Sequence, residues 1–249
     1  MSNVAVVRMG PTLTLAEKEG LLAALRAAAA DETVRAVVLT GTGTVFSRGQ
    51  DLRELDAALR TDPATASDTV ERHYNPITLL LATMPKPVVA AVNGTCAGAG
   101  LGFALACDLQ VWSATATLAT AFTKVGLTCD SGLSATLVRA VGHARASALV
   151  LLAEPFTVEQ ALAWGFAGDV VAPEEVEPRA LALAARLAAA APHALAASKR
   201  LLAASAGRSL PDTLRAEAAE QAALGLTPDH AAAVAAFVGL GRRRLGREG

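Results

Sequence analysis

Residues Pro85–Asp108 read PKPVVAAVNGTCAGAGLGFALACD. Pro87–Val92 is a continuous run of branched and small apolar residues, the pattern of a strand covered on both faces. Asn93-Gly94 breaks the run. Ala99–Cys107 then reads as a short apolar helix, reached through a turn of small residues. From Val88 to Cys107 there is no charge, and the length would span a bilayer. Within it lie Asn93, Thr95 and glycines 94, 98, 100 and 102. Strand, loop and buried helix explain that mixture better than a membrane span, so no membrane association is expected.

The same arrangement recurs upstream. Val34–Thr40, with RAVVLT inside it, is a second buried strand ended by Gly41-Thr42-Gly43. Val45–Glu54, VFSRGQDLRE, then leads into a helix starting near Asp51. Val4–Val7 predicts a strand and Leu15–Ala30 a helix with Leu21, Leu22 and Leu25 on one side. A further helix is expected over Ser67–Met84, stopping before Pro85. Downstream, Leu109–Ser113 predicts a strand, and helices follow at Ser134–Val141, Ala144–Leu152, Val158–Trp164 and Pro178–Ala190. Strands alternating with helices give an α/β fold. After Ala191-Pro192 only helices are expected, at Ala194–Ala206, Leu210–Leu224 and Asp229–Arg243. The division predicted is an α/β body over 1–191 and an all-helical appendage over 192–249.

Bulk properties exclude several classes. A chain of 249 residues that is 53% apolar and 18% charged can bury a large core and is not a disordered protein. Its net charge of −1 offers no basic face for nucleic acid. The one basic cluster, Arg242, Arg243, Arg244 and Arg247, reads as a solvated tail or as a phosphate or subunit contact. Cys96, Cys107 and Cys129 have no metal or disulfide spacing and read as free thiols in a reducing compartment. The opening MSNVAVVRMG lacks a signal pattern, so a cytoplasmic location is expected. His73, His143, His193 and His230 share no metal-ligand spacing, and no metal is expected. Both Gly41–Phe46 and Gly98–Phe103 put phenylalanine where a dinucleotide fingerprint needs its third glycine. No Gly-Lys pair and no G-x-S-x-G elbow occur, which removes P-loop and serine-hydrolase readings.

The two informative segments share a layout: buried strand, small-residue turn, helix. Such turns leave backbone N–H groups free at a helix start, where the helix dipole adds partial positive charge. Two turns facing one another would present two donors to one anionic oxygen. Tight packing explains the same glycines equally well, and the residues alone leave both readings open.

F-S-x-G-x-D-L at Phe46–Leu52 and P-K-P-V-V-A-A-V-N-G-x-x-x-G-x-G at Pro85–Gly100 resemble the two signature segments of the crotonase (enoyl-CoA hydratase/isomerase) superfamily. The similarity runs from about Val34 to Val171. It implies a crotonase-like ββα spiral core with a C-terminal helical trimerisation region, and hence a homotrimer or dimer of trimers. It implies an acyl-CoA substrate, with coenzyme A arriving as part of the substrate and no other cofactor. The backbone N–H groups of Gln50 and Ala99 are then the oxyanion hole for the thioester oxygen, where lost donors are costly. The turn holding Arg48, Gln50, Asp51 and Leu52 is implied to contact the CoA moiety. Asp51, at a helix start, also reads as a cap.

A hydratase of this family uses two glutamates. By position they fall on Gly102 and Phe122, neither of which can carry a proton. One acid remains nearby, Asp130. Its segment Ala121–Leu133, AFTKVGLTCDSGL, resembles F-x-K-x-G-L-x-P-D-S-G-G of the branch that contains 1,2-epoxyphenylacetyl-CoA isomerase and Δ3,Δ2-enoyl-CoA isomerases. Gly49–Leu52 and Tyr74-Asn75-Pro76 are also typical of that branch. The resemblance implies Asp130 as proton shuttle, with Tyr74, Gly98, Gly102 and Phe122 lining the substrate pocket and Phe103 and Leu127 adding apolar walls. The departures are Cys129 for the branch's proline, Leu133 for its second glycine, and a short Met9–Leu15 loop. A helix cap is the competing role for Asp130. Residual hydratase or another crotonase chemistry, and non-catalytic acyl-CoA binding, are the competing functions.

Overall fold

The structure is a computed structural model that describes residues 3–245, with side chains described through residue 238. The side chains of Arg242, Arg243, Arg244 and Arg247 lie outside that range. The chain divides into two compact units, Met1–Ala189 and Ala190–Gly249.

The first unit runs β1 (Val4–Met9), α1 (Leu15–Ala30), β2 (Ala36–Gly41), β3 (Val45–Ser47) and α2 (Leu52–Thr61). A π-helical turn (Val70–Tyr74) leads into α3 (Asn75–Thr83), then β4 (Val88–Val92), β5 (Thr95–Ala97) and α4 (Ala99–Ala106). Next come β6 (Leu109–Ser113), β7 (Thr117–Ala119), a 3-10 turn (Phe122–Val125), α5 (Leu133–Val141), α6 (His143–Leu152) and β8 (Phe156–Thr157). The unit closes with α7 (Val158–Ala163), β9 (Asp169–Val171), a second 3-10 turn (Pro173–Glu175) and α8 (Val176–Ala188).

Five parallel strands form one sheet in the order β1-β2-β4-β6-β9, and β3-β5-β7-β8 form a second. Two consecutive strands, one for each sheet, precede each of α2 and α4, so the chain winds as a ββα spiral. The winding places β3, β5 and β7 side by side in parallel, with Ser47 opposite Cys96 and Ala97 opposite Ala119. The three turns that leave these strands are therefore neighbours, although they lie far apart in sequence.

Burial on both faces explains the apolar runs. In β2 and β4, Val37, Leu39, Val88, Ala90 and Val92 join the main core, together with Leu21, Leu22 and Leu25 of α1. The alternate residues Ala36, Val38, Val89 and Ala91 pack with Val176, Ala180 and Ala184 of α8. The predicted α1 is observed with the predicted bounds. The stretch Val88–Cys107 is divided between strands and a short helix, and among the described residues no single helix is long and apolar enough to cross a membrane. Two expectations need correction. The helix expected over Ser67–Met84 is a π-helical turn from Val70 followed by α3, and of the second sheet only the strand opening Val45–Glu54, which is β3, is read from the residues, while β5, β7 and β8 are not. Its strands are two or three residues long, below the length at which alternation is readable.

The second unit holds α9 (Pro192–Ala204), a 3-10 turn (Ser205–Gly207), α10 (Leu210–Leu224) and α11 (Pro228–Leu245). Among the described residues it contains no strand. Ser209 caps α10 by accepting the Asp212 N–H at 3.3 Å, and Arg200 clasps Glu220 with both carboxylate oxygens 2.9 Å from Nη2.

Candidate active site

The turn after β3 is built tightly. Ser47 Oγ accepts the Gly49 N–H at 3.1 Å. Residues 11–13 strap the turn from outside: the Arg48 N–H donates to the Pro11 carbonyl and the Leu13 N–H to the Gly49 carbonyl, both at 2.8 Å. Gly49 has φ +80, and a Cβ there would lie 3.2 Å from the Ala97 carbonyl oxygen and 3.5 Å from the Ala99 nitrogen. A side chain would be strained and would push the two signature turns apart. The turns thus face each other in contact. Ala99 is the first residue of α4, so its N–H has no intrahelical partner. Neither it nor the Gln50 N–H donates to a backbone acceptor among the described residues.

These two residues line a cleft of about 540 Å³, open to solvent. Arg48, Leu52, Tyr74, Gly98, Phe122, Leu127 and Asp130 line it too. Nine of the expected positions are therefore brought together from five segments. Leu55, Thr120, Ala121 and Val125 join them without having been foreseen. The last three belong to the segment leaving β7, and the backbone marks it: Ala121 sits at φ 65, unusual for a non-glycine residue.

Tyr74 is fully buried from solvent at the cleft wall. Its phenol donates to Gln50 Oε1 at 3.4 Å. Phe103 meets its ring edge-on at 5.9 Å, and the Lys18 ammonium lies 5.7 Å from the ring centre. Burial, with the charges of Asp130 and Glu54, pushes the phenol well above its ordinary range, so it is a neutral donor at physiological pH.

Asp130 sits in the turn before α5. Its Oδ1 accepts the Ser131 hydroxyl at 2.8 Å, and its main-chain carbonyl accepts the Leu133 N–H at 2.9 Å. The N-cap of α5 is Gly132, which has no side-chain cap bond, so the Asp130 carboxylate does not cap that helix. Burial raises its pKa above the ordinary aspartate value, and the Ser131 hydrogen bond partly offsets this. Burial also raises the neighbouring Cys129 thiol, with Asp130 adding to the effect.

Three expected positions do not reach the cleft surface. Asp51 is the N-cap of α2: its Oδ1 accepts the Arg53 and Glu54 N–H groups at 2.9 and 3.1 Å, and these bonds hold its pKa below the ordinary value. Phe103 belongs to the core behind Tyr74. Gly102 lies beneath the Asp130 turn, where a Cβ would fall 2.5 Å from Ser131 Cβ and 2.8 Å from the Ser131 carbonyl oxygen. A hydratase-type glutamate at 102 and the observed Asp130 turn therefore exclude each other. Gly102→Glu is expected to destabilise the fold by about 1–3 kcal/mol or more through overpacking, without gain of hydration. A melting curve and a 2-enoyl-CoA hydration assay check this; a variant melting with wild type would show that the turn yields.

A spiral of ββα turns whose paired N–H groups and half-buried carboxylate share one apolar cleft is the architecture of an acyl-CoA enzyme. The enoyl-CoA hydratase/isomerase family matches residues 3–242, and the chain belongs to it. It is 36% identical to 1,2-epoxyphenylacetyl-CoA isomerase of Escherichia coli (strain K12), over 84% of this chain and 79% of that protein. It is 37% identical to the "Probable enoyl-CoA hydratase" of Rhodobacter capsulatus, over 91% of this chain and 86% of that one. A crystal structure of an enoyl-CoA hydratase from Polaromonas sp. JS666 superposes with a TM-score of 0.90 at 31% identity, covering 96% of this chain and 95% of that one.

Proposed function

We propose that the protein is an enoyl-CoA isomerase that moves a double bond through a thioester dienolate. The observation that carries this reading is the composition of the cleft: it holds one carboxylate, Asp130, while the hydratase positions are Gly102 and Phe122. A single carboxylate suffices for isomerisation. Asp130 removes a proton at C2 of a 3-enoyl thioester, the electrons pass to the thioester oxygen, and the Gln50 and Ala99 N–H groups hold the resulting charge. The carboxylic acid returns the proton at C4, which leaves the conjugated 2-enoyl thioester. Hydration needs a second group to activate and place water. The apolar walls Leu52, Phe122, Val125 and Leu127 suit a hydrocarbon acyl group, including a cyclic one. The raised proton affinity of Asp130 suits a group that must both take and return a proton near neutral pH.

Coenzyme A enters as part of the substrate, with Arg48, Gln50 and Leu52 at its side of the cleft, and no other cofactor takes part. The assembly is a homotrimer or dimer of trimers in the cytoplasm. Its support is the apolar surface of the helical unit, where Leu202, Leu226 and Phe237 are 75, 89 and 81% exposed. The test compares Δ3-to-Δ2 conversion of a 3-enoyl-CoA, followed by absorbance of the conjugated thioester, with hydration of a 2-enoyl-CoA. Isomerisation is expected to exceed hydration by about 10²-fold, the lower scale of positioned acid–base help. Predominant hydration would overturn the proposal. Acyl-CoA binding without turnover of linear or cyclic substrates would make the protein a non-catalytic binder.

A further inference from the structure

We infer that Ser131 is a positioning residue for Asp130, whose hydroxyl engages one carboxylate oxygen and leaves the other to carry the proton. The inference rests on the reading of Asp130 as proton carrier.

Ser131 is 1% exposed and is not a glycine, yet it stands at φ 52. L-residues rarely adopt that conformation, and strain of this kind persists only where the surroundings over-determine it. Glycine would satisfy the backbone with less strain, as Gly132 does next door at φ 70. What serine adds is a hydroxyl, and that hydroxyl donates to Asp130 Oδ1 at 2.8 Å. The side chain is also confined. Its Cβ fills the space over α4 that a Cβ on residue 102 would occupy, 2.5 Å away. A short, enclosed side chain of this kind has little rotamer freedom, so the position of its Oγ is set by packing.

The surroundings of the carboxylate are otherwise plain. The titratable groups that sense it are the Tyr74 phenol, from the π-helical turn before α3, and the Cys129 thiol beside it in the chain. Both are pushed towards their neutral forms. No cation pairs with Asp130 among the described residues. Ser131 is thus its one side-chain hydrogen-bond partner there, and it opposes the effect of burial. Oδ1 is occupied; Oδ2 is the oxygen free to accept a proton and give it back.

The test is the pH profile of Δ3-to-Δ2 conversion for wild type, Ser131→Gly, Ser131→Ala and Asp130→Asn, with a melting curve for each. Ser131→Gly is expected to lower kcat about tenfold or more, the scale set by losing a hydrogen bond to a charged group. KM should stay within about twofold, because the residue touches no substrate. The acid limb should move to higher pH, since the remaining influence on Asp130 is burial. The melting temperature should hold or rise, because glycine relieves the left-handed strain. Ser131→Ala should repeat the kinetic effect without that relief. Ser131→Gly with a wild-type kcat and an unmoved limb, beside an inactive Asp130→Asn, would overturn the inference and leave the Asp130 reading intact. An Asp130→Asn enzyme as fast as wild type would overturn both.

Discussion

Asp130→Asn is expected to slow Δ3-to-Δ2 conversion by about 10²–10⁴, the usual worth of a positioned acid–base group, with acyl-CoA binding retained. Asparagine keeps the shape and cannot take a proton. The pH behaviour has a definite sign. Burial raises the Asp130 pKa in the folded protein, and the ionised form is the base. Activity should therefore fall on acidification at a pH above the ordinary aspartate range. Stability moves the other way. A carboxyl with a raised folded-state pKa binds more protons folded than unfolded in the window between the two values. Stability then falls as pH rises through that window, and the ionised carboxylate is a cost at neutral pH. Asp130→Asn removes that cost, so its melting temperature at neutral pH should equal or exceed that of wild type. Loss of activity with gain of stability marks a site residue under strain. A parallel loss of both would mean that the aspartate is structural.

Ala99→Pro is expected to lower kcat by about 10²–10³, the cost of removing one oxyanion donor. Ala99 is the first residue of α4, where proline is tolerated because the N–H has no helical partner. The substitution deletes the donor at a helix position whose N–H takes no part in the helical hydrogen bonds. Circular dichroism and melting should stay close to wild type, and CoA-thioester affinity should change far less than kcat, since the oxyanion charge develops only during reaction. A folded Ala99→Pro enzyme with wild-type kcat would show that the dienolate oxygen lies elsewhere.

The legible part of the site is the part that is local in sequence. Ser47–Leu52 and Gly94–Ala99 each carry a small-residue turn between a strand and a helix, so the two turns stand out within a dozen residues, and the family resemblance assigns the N–H donors in them to Gln50 and Ala99. Tyr74, Phe122 and Asp130 were nameable through the family resemblance, since a lone tyrosine or aspartate has no periodic signature. Val125, Thr120 and Ala121 were not legible. They follow β7, three residues long, whose place beside β5 depends on pairing across about twenty intervening residues. Gly102 was misread as pocket lining because sequence position cannot show that the Asp130 turn lies on top of it.

The family resemblance placed the hydratase positions on residues without a carboxylate; by itself, the sequence determined the alternation of buried strands and helices, the strand-free C-terminal region and the two small-residue turns. All of these are set by side-chain type and local backbone demand. Only the tertiary structure decided that the turns after β3, β5 and β7 converge on one cleft, that Asp130 shares it instead of capping α5, and that glycine at 102 makes room for the turn bearing that carboxylate. These are contacts between residues distant along the chain, and their geometry follows from how the spiral closes its second sheet.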